Sequence, residues 1–158
     1  MKWISHKICT FAGVYAISDN LALSVAVSAF SHLPDLVEFG PGKLIFKKHR
    51  GASHSPMLWL GFIVLSWLCS YTALVQHTEG FFGKYGFTSL CVLIPAIGAF
   101  FHLAEDAMSK SGIVVWKGTK LAAGLYKTGT RMEGAVVLAV VILCAVPFAI
   151  RRLLDCLL

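Results

Sequence analysis

The sequence predicts an all-α, polytopic membrane helical bundle: a short-helix hairpin at the N-terminus followed by three transmembrane helices. Three observations carry that expectation. The chain of 158 residues is 57% hydrophobic, with a mean hydropathy of +0.74. Only 14% of its residues are charged, well below the roughly 25% of a soluble domain. Its apolar residues also fall into runs long enough to cross about 30 Å of hydrocarbon, with ionisable residues gathered between them. At this length the chain reads as a single integral-membrane domain, residues 1–158, with any chemistry built into the bundle itself.

The stretch from Ile8 to Pro34 is long enough for one crossing, but Asp19 and Asn20 stand at its middle. A single crossing would bury Asp19 in the bilayer, where a carboxylate is expensive. The preferred reading is a pair of shorter helices, roughly His6–Ser18 and Asn20–His32, turning at Asp19 and Asn20, with Ser18 or Asp19 capping the second. The opening MKWISHKICTFAGVYAIS also has the charged start and short apolar core of a signal peptide, whose cleavage would discard His6.

A loop over Leu36–Ser55 follows, and Ser55 fits the N-cap of the next helix. Pro56–Gln76 and Tyr85–Ala104 each run for about 20 residues without a charge, as a membrane span requires. A third span, Gly134–Ile150, carries Pro147, which a membrane helix tolerates when neighbours satisfy the freed carbonyl. Arg151 and Arg152 are expected to end it at an interface. Between the second and third spans, Ser109–Glu133 reads as a surface loop with a short interfacial helix around Gly118–Tyr126, placed to close over a site. Trp3, Trp59, Trp67 and Trp116 read as interface anchors or core.

The hairpin has a geometric consequence. It returns the chain to the face where it began, so His6, Asp35, His49 and His54 share one side, and the span ending at Ala104 brings His102 and Asp106 to that side as well. Under this topology 11 of the 14 Lys and Arg residues lie on the same face, and only Lys84, Arg151 and Arg152 lie opposite. Short basic loops stay in the cytoplasm, so the expected setting is a multi-pass membrane protein with its site at the cytoplasmic face. The formal charge of +6 is scattered through loops rather than drawn into one stripe, which points to anionic lipid head groups and not to nucleic acid. Five scattered cysteines (Cys9, Cys69, Cys91, Cys144, Cys156) form no CxxC pair and read as small buried hydrophobes, not as a disulfide framework or thiolate zinc site.

Ionisable residues in such a chain usually face a protein interior or a water-filled cavity, and here they cluster at the ends of the apolar runs. His102 and Asp106, at i and i+4, project from one helix face. His49 and His54 flank a glycine in HRGASHS, where small residues allow a tight turn. Neutral imidazoles and carboxylates suit zinc, manganese or iron, and four histidines with two aspartates exceed one tetrahedral shell, so one or two ions are expected. Two adjacent ions would activate water and stabilise both oxygens of a phosphoester displacement.

Several motifs run through most of the chain in order: His6 near the start, the LPD of Leu33, Pro34 and Asp35, HRGASHS from His49, HLAEDAMSKSG from His102, and KTGTRME ending at Glu133. Together they resemble the YdjM-like family of bacterial inner-membrane metal-dependent hydrolases, linked there to LexA regulation and related more distantly to zinc-dependent phospholipase C and P1 nuclease. The resemblance implies His6, Asp35, His49, His54, His102 and Asp106 as metal ligands, zinc as the favoured ion, and a phosphoester substrate by analogy only. One departure stands out. The family often reads PD-x-D, whereas this chain has Pro34, Asp35, Leu36 and Val37, so a second carboxylate is missing unless Glu38 supplies it. Ser53 and Ser109 stand where the family commonly has Thr.

Candidates for a direct part in catalysis are Asp35, Arg50, Glu105 and Glu133. Arg50 could grip two phosphate oxygens, or anchor to lipid; Lys47 and Lys48 read as snorkelling side chains. Glu105 and Glu133 could support a histidine or act as general base, with a helix cap as the alternative for Glu133. His32 reads as a hydrogen-bonded interfacial histidine and His77 as a solvated residue of the opposite loop. The functional expectation is a membrane-embedded hydrolase cleaving a lipid or lipid-linked phosphoester by metal-activated water. The alternatives are a non-catalytic membrane protein with a structural metal and a partner-binding subunit of a membrane complex. Polar residues at helix ends rather than at the bilayer midplane weigh against a transporter.

Overall fold

A computed structural model describes residues 1–39, 52–75, 79–116 and 119–157. The chain is mostly helical, with α1 at Trp3–Ser18, α2 at Leu21–Ala29, α3 at Leu33–Phe39, a 3-10 turn at Ala52–His54, α4 at Pro56–Val75, α5 at Glu79–Ala107 and α6 at Arg131–Leu157. A small two-stranded sheet, β1 at Ile113–Trp116 and β2 at Thr119–Leu121, departs from the all-α expectation. Among the described residues, two helical stretches are long and apolar enough to cross a membrane: Leu21–Glu38, which bends at Phe30–His32 between α2 and α3, and Arg131–Leu157. Pro56–Leu68 forms a shorter apolar helix.

The N-terminal hairpin forms as expected. Asp19 adopts the left-handed conformation (φ 50°), and its N–H donates to the Tyr15 carbonyl at 2.9 Å, closing the end of α1. The cap of α2 is Asn20, not Ser18 or Asp19: its side-chain oxygen accepts the Leu23 N–H at 2.9 Å. Asn20 wins because it alone has the extended backbone that an N-cap needs directly before the first helical residue. Asp19 is instead paired with Arg152. The second helix stops at Ala29, earlier than expected, and Leu33, Pro34 and Asp35 open a separate short helix where a loop was anticipated.

α1 packs on α2 and α6, and α4 along α5. Gly98 lets α5 approach α2 closely, because an added Cβ would overlap the Val27 carbonyl oxygen. The buried core beneath α4 and α5 comprises Trp59, Ala96, Ala99, Leu103 and Ile113. Arg151 and Arg152 do not end α6, which continues to Leu157 and includes Pro147. Of the described cysteines only Cys9 is buried; Cys91 and Cys156 are exposed and Cys144 is half-buried. Trp59 is core, while Trp3 and Trp67 are exposed.

The segment after α5 forms the hairpin β1–β2, not the expected helix near Gly118–Tyr126. Ile113 pairs with Leu121 and Val114 with Lys120. β-branched residues at 113–115 favour an extended chain, and Gly112, at φ +60°, turns the chain where any Cβ would strike the Leu121 carbonyl. The chain then returns across the C-terminus of α5, where the N–H groups of Ala123 and Leu125 donate to the Ala107 and Met108 carbonyls at 2.7 and 2.9 Å. Carbonyls that a helix end leaves without partners are thereby satisfied.

A candidate metal centre

Five of the six expected ligands converge. His6 comes from the start of α1, Asp35 from the first turn of α3, His54 from the turn before α4, and His102 and Asp106 from the last turns of α5. His6 Nε2 is 3.6 Å from Asp106 Oδ1, and His102 Nε2 lies 3.7 Å from Asp106 Oδ2 and 3.8 Å from Asp35 Oδ1. His54 Nε2 approaches Asp35 Oδ1 to 3.2 Å. The rings of His6 and His102 stack at 3.9 Å between centroids. His49 and Arg50 lie outside the described residues, as do His77, Lys47 and Lys48.

These side chains form two groups that could hold an ion, His6–His102–Asp106 and Asp35–His54–His102, each with its ligand atoms within 4.8 Å of one another. His102 belongs to both. The three histidines and Asp106 are buried, and Asp35 alone keeps some exposure, its side chain 16% accessible. Neither ring nitrogen of His102 has a hydrogen-bond partner among the described residues. Buried polar atoms are nearly always satisfied, and a cation between His102 and the aspartates would satisfy Nε2.

The carboxylates behind the histidines had a weaker signature in sequence. Glu105 Oε2 sits 2.5 Å from His6 Nδ1, and Thr10 Oγ donates to Glu105 Oε1 at 3.0 Å. Glu38 Oε1 sits 2.9 Å from His54 Nδ1 and also accepts the Ser53 hydroxyl. Each glutamate thus takes the Nδ1 side of a ring and leaves Nε2 facing the aspartates. The absent PD-x-D carboxylate is therefore not replaced by Glu38 among the two ligand groups; Glu38 supports His54 from behind. Trp3, expected as an interface anchor or core, donates its indole N–H to Asp35 Oδ2 at 3.1 Å, leaving Oδ1 toward the histidines.

Burial alone would lower the His54 pKa, but its hydrogen bond to Asp35 and the charge of Glu38 outweigh this and raise it above the usual imidazole range. Tyr126 is held neutral well above the ordinary phenol range by burial, then by Asp106 and Glu133; its hydroxyl donates to the Glu105 carbonyl at 2.8 Å. The Met1 ammonium lies 3.0 Å from Asp106 Oδ1.

Glu133 takes the helix-cap alternative. Its oxygens accept from Lys2 N–H (2.7 Å), Ser5 Oγ (2.7 Å) and Gly129 N–H (2.6 Å), bracing the starts of α1 and α6 against each other. His32 is not hydrogen-bonded as expected: its buried Nδ1 has no partner among the described residues, and its ring lies 5.5 Å from that of Trp3. Compared with protein-family models, curated proteins and solved structures, the chain matches none.

Proposed function

We propose that this chain is a membrane-embedded, metal-dependent hydrolase of the YdjM-like kind, acting on a lipid or lipid-linked phosphoester at the cytoplasmic face of a bacterial inner membrane. The observation that carries the reading is the carboxylate behind each outer histidine, Glu105 behind His6 and Glu38 behind His54, with His102 between them. Metal-binding histidines ordinarily show this arrangement, because it fixes the tautomer and raises the basicity of the free nitrogen. The donor set of imidazoles and carboxylates suits zinc, which either His6, His102 and Asp106 or Asp35, His54 and His102 would hold, His102 Nε2 binding one ion at a time. A bound divalent ion supplies an acidified water and a Lewis acid for the phosphoryl oxygen.

The chain's own residues supply the rest. Glu105 and Thr10 orient His6, and Trp3 orients Asp35. The burial of His6, His54 and His102 keeps bulk water from the centre, and Asp35 stands at the rim where a substrate would approach. Arg50 is the candidate partner for the phosphoryl oxygens. A multi-pass topology with α4, α5 and α6 crossing is supported by the outward apolar faces of α4 (Leu60, Leu65, Trp67) and α6 (Leu138, Leu143, Leu153), each residue more than 40% exposed, since a soluble protein would not present such patches to water.

Metal analysis of the full chain, purified in neutral detergent, together with turnover of a chromogenic phosphodiester and a phosphomonoester, tests the reading. The expected result is one or two zinc ions per chain and turnover that Asp35→Asn abolishes; less than one transition metal per chain sinks it. Near-complete burial of the three histidines favours a structural metal as the second reading. Stoichiometric metal with no turnover, and an Asp35→Asn variant that loses only its fold, would establish that one.

A further inference from the structure

We propose that the cleft between Lys110–Gly112 and Lys127–Gly129 binds a phosphate group, at a site separate from the metal centre. The two segments repeat one pattern, Lys-Ser-Gly and Lys-Thr-Gly. Each directly follows one partner of a parallel bridge, Ser109 with Tyr126, and the Lys110 N–H donates to the Tyr126 carbonyl at 2.8 Å. The bridge brings the two segments together so that Lys110 and Ser111 from one and Lys127 and Thr128 from the other line a common cleft. Both glycines are left-handed, Gly112 at φ +60° and Gly129 at φ +82°, so the two strands turn away at equivalent points. Between them lies a cavity of about 440 Å³ lined by Lys110, Ser111, Lys127 and Thr128.

Two lysines lining one cleft concentrate positive charge there, which an anion between them would offset. Among the described residues neither lysine is in an ion pair. Glu133, hydrogen-bonded to Gly129, is turned inward and only 3% exposed, its oxygens engaged by Lys2, Ser5 and Gly129. Two cations with the Thr128 hydroxyl offer donors for the several oxygens of a phosphate, which accepts more bonds than a carboxylate, while the Ser111 hydroxyl is engaged with Ser109 Oγ at 2.9 Å. The shared chemistry fits the head group of an anionic lipid and free phosphate alike. Nothing in it requires turnover at the metal centre, so it stands or falls separately from the hydrolase reading.

The test is calorimetric titration of the full chain in neutral detergent at about 0.15 M salt. Inorganic phosphate and a soluble short-chain phosphatidylglycerol are titrated separately into the parent chain and into a Lys110→Gln, Lys127→Gln double variant. Both side chains are exposed and the bridge is a backbone contact, so the variant should keep its circular dichroism. Saturable binding that weakens about tenfold or more in the variant is the expected result. Saturation by phosphate identifies the free anion as sufficient, and saturation by the lipid alone identifies a head-group site. No saturation by either ligand below about 10 mM, or equal affinity in the parent and the variant, overturns the proposal.

Discussion

His6 and Glu105 stand 99 positions apart in the chain, yet the Nδ1 of one lies 2.5 Å from Oε2 of the other, both buried. The contact joins the first helix to the end of the fifth and aims His6 Nε2 at Asp106. If this carboxylate tunes a metal ligand, Glu105→Gln should keep the shape of the contact and lose its charge. Zinc affinity is then expected to fall about 10- to 100-fold, measured by competition with a chromophoric chelator, while circular dichroism is retained. Unchanged affinity would mean that His6 is merely a packed core residue.

His102 is common to both ligand groups, whereas His6 and His54 each belong to one. Since its Nε2 can bind one ion at a time, replacing His102 with Ala should remove metal whichever group holds it, while only one of His6→Ala and His54→Ala should do so. Elemental analysis of the three variants reads this directly. Equal losses across all three would argue for a single ion held by the whole set.

The signals legible in the sequence were those with a period or a pair. Charge-free runs revealed α4, and Asp19–Asn20 in the middle of an apolar stretch revealed the turn between α1 and α2. The i, i+4 spacing showed that His102 and Asp106 share a face, and the hairpin, by returning the chain to its starting side, put His6, Asp35 and His54 on that side too. The rest depended on tertiary contact. Glu38 carries no spacing signal toward His54, because the two are joined only through the fold around Ser53. The β1–β2 hairpin was hidden because its three β-branched and apolar residues are too few to establish alternation. Arg152 does not end α6, and its pairing with Asp19, at the turn between α1 and α2, carried no signal in the sequence.

Metal removal should destabilise the fold, because four separate elements supply the ligands and metal binding adds to folding free energy. At free zinc about 100-fold above its dissociation constant the contribution is about 2.7 kcal/mol. For a chain of this size that corresponds to a fall of about 5–10 °C in Tm on chelation. Differential scanning fluorimetry in detergent, with and without chelator, reads the shift. An unchanged Tm would show that the centre assembles without an ion.

Gly98→Ala tests the frame around the site. The added methyl would meet the Val27 carbonyl oxygen and lie within 3.2 Å of Phe30 Cβ, and neither can yield without moving α2, because one is backbone and the other sits at the α2 terminus. Overpacking of this kind costs about 1–3 kcal/mol. Because α2 leads directly into α3 and Asp35, the shift should also displace Asp35 from His54 and His102. The variant is therefore expected to lose thermal stability and metal affinity together, whereas Gly134→Ala, where an added Cβ meets nothing within 4 Å, should lose neither. A Gly98→Ala chain with lowered Tm but unchanged zinc affinity would show that the position of Asp35 is set locally by Trp3 and His54, independent of the helix that precedes it.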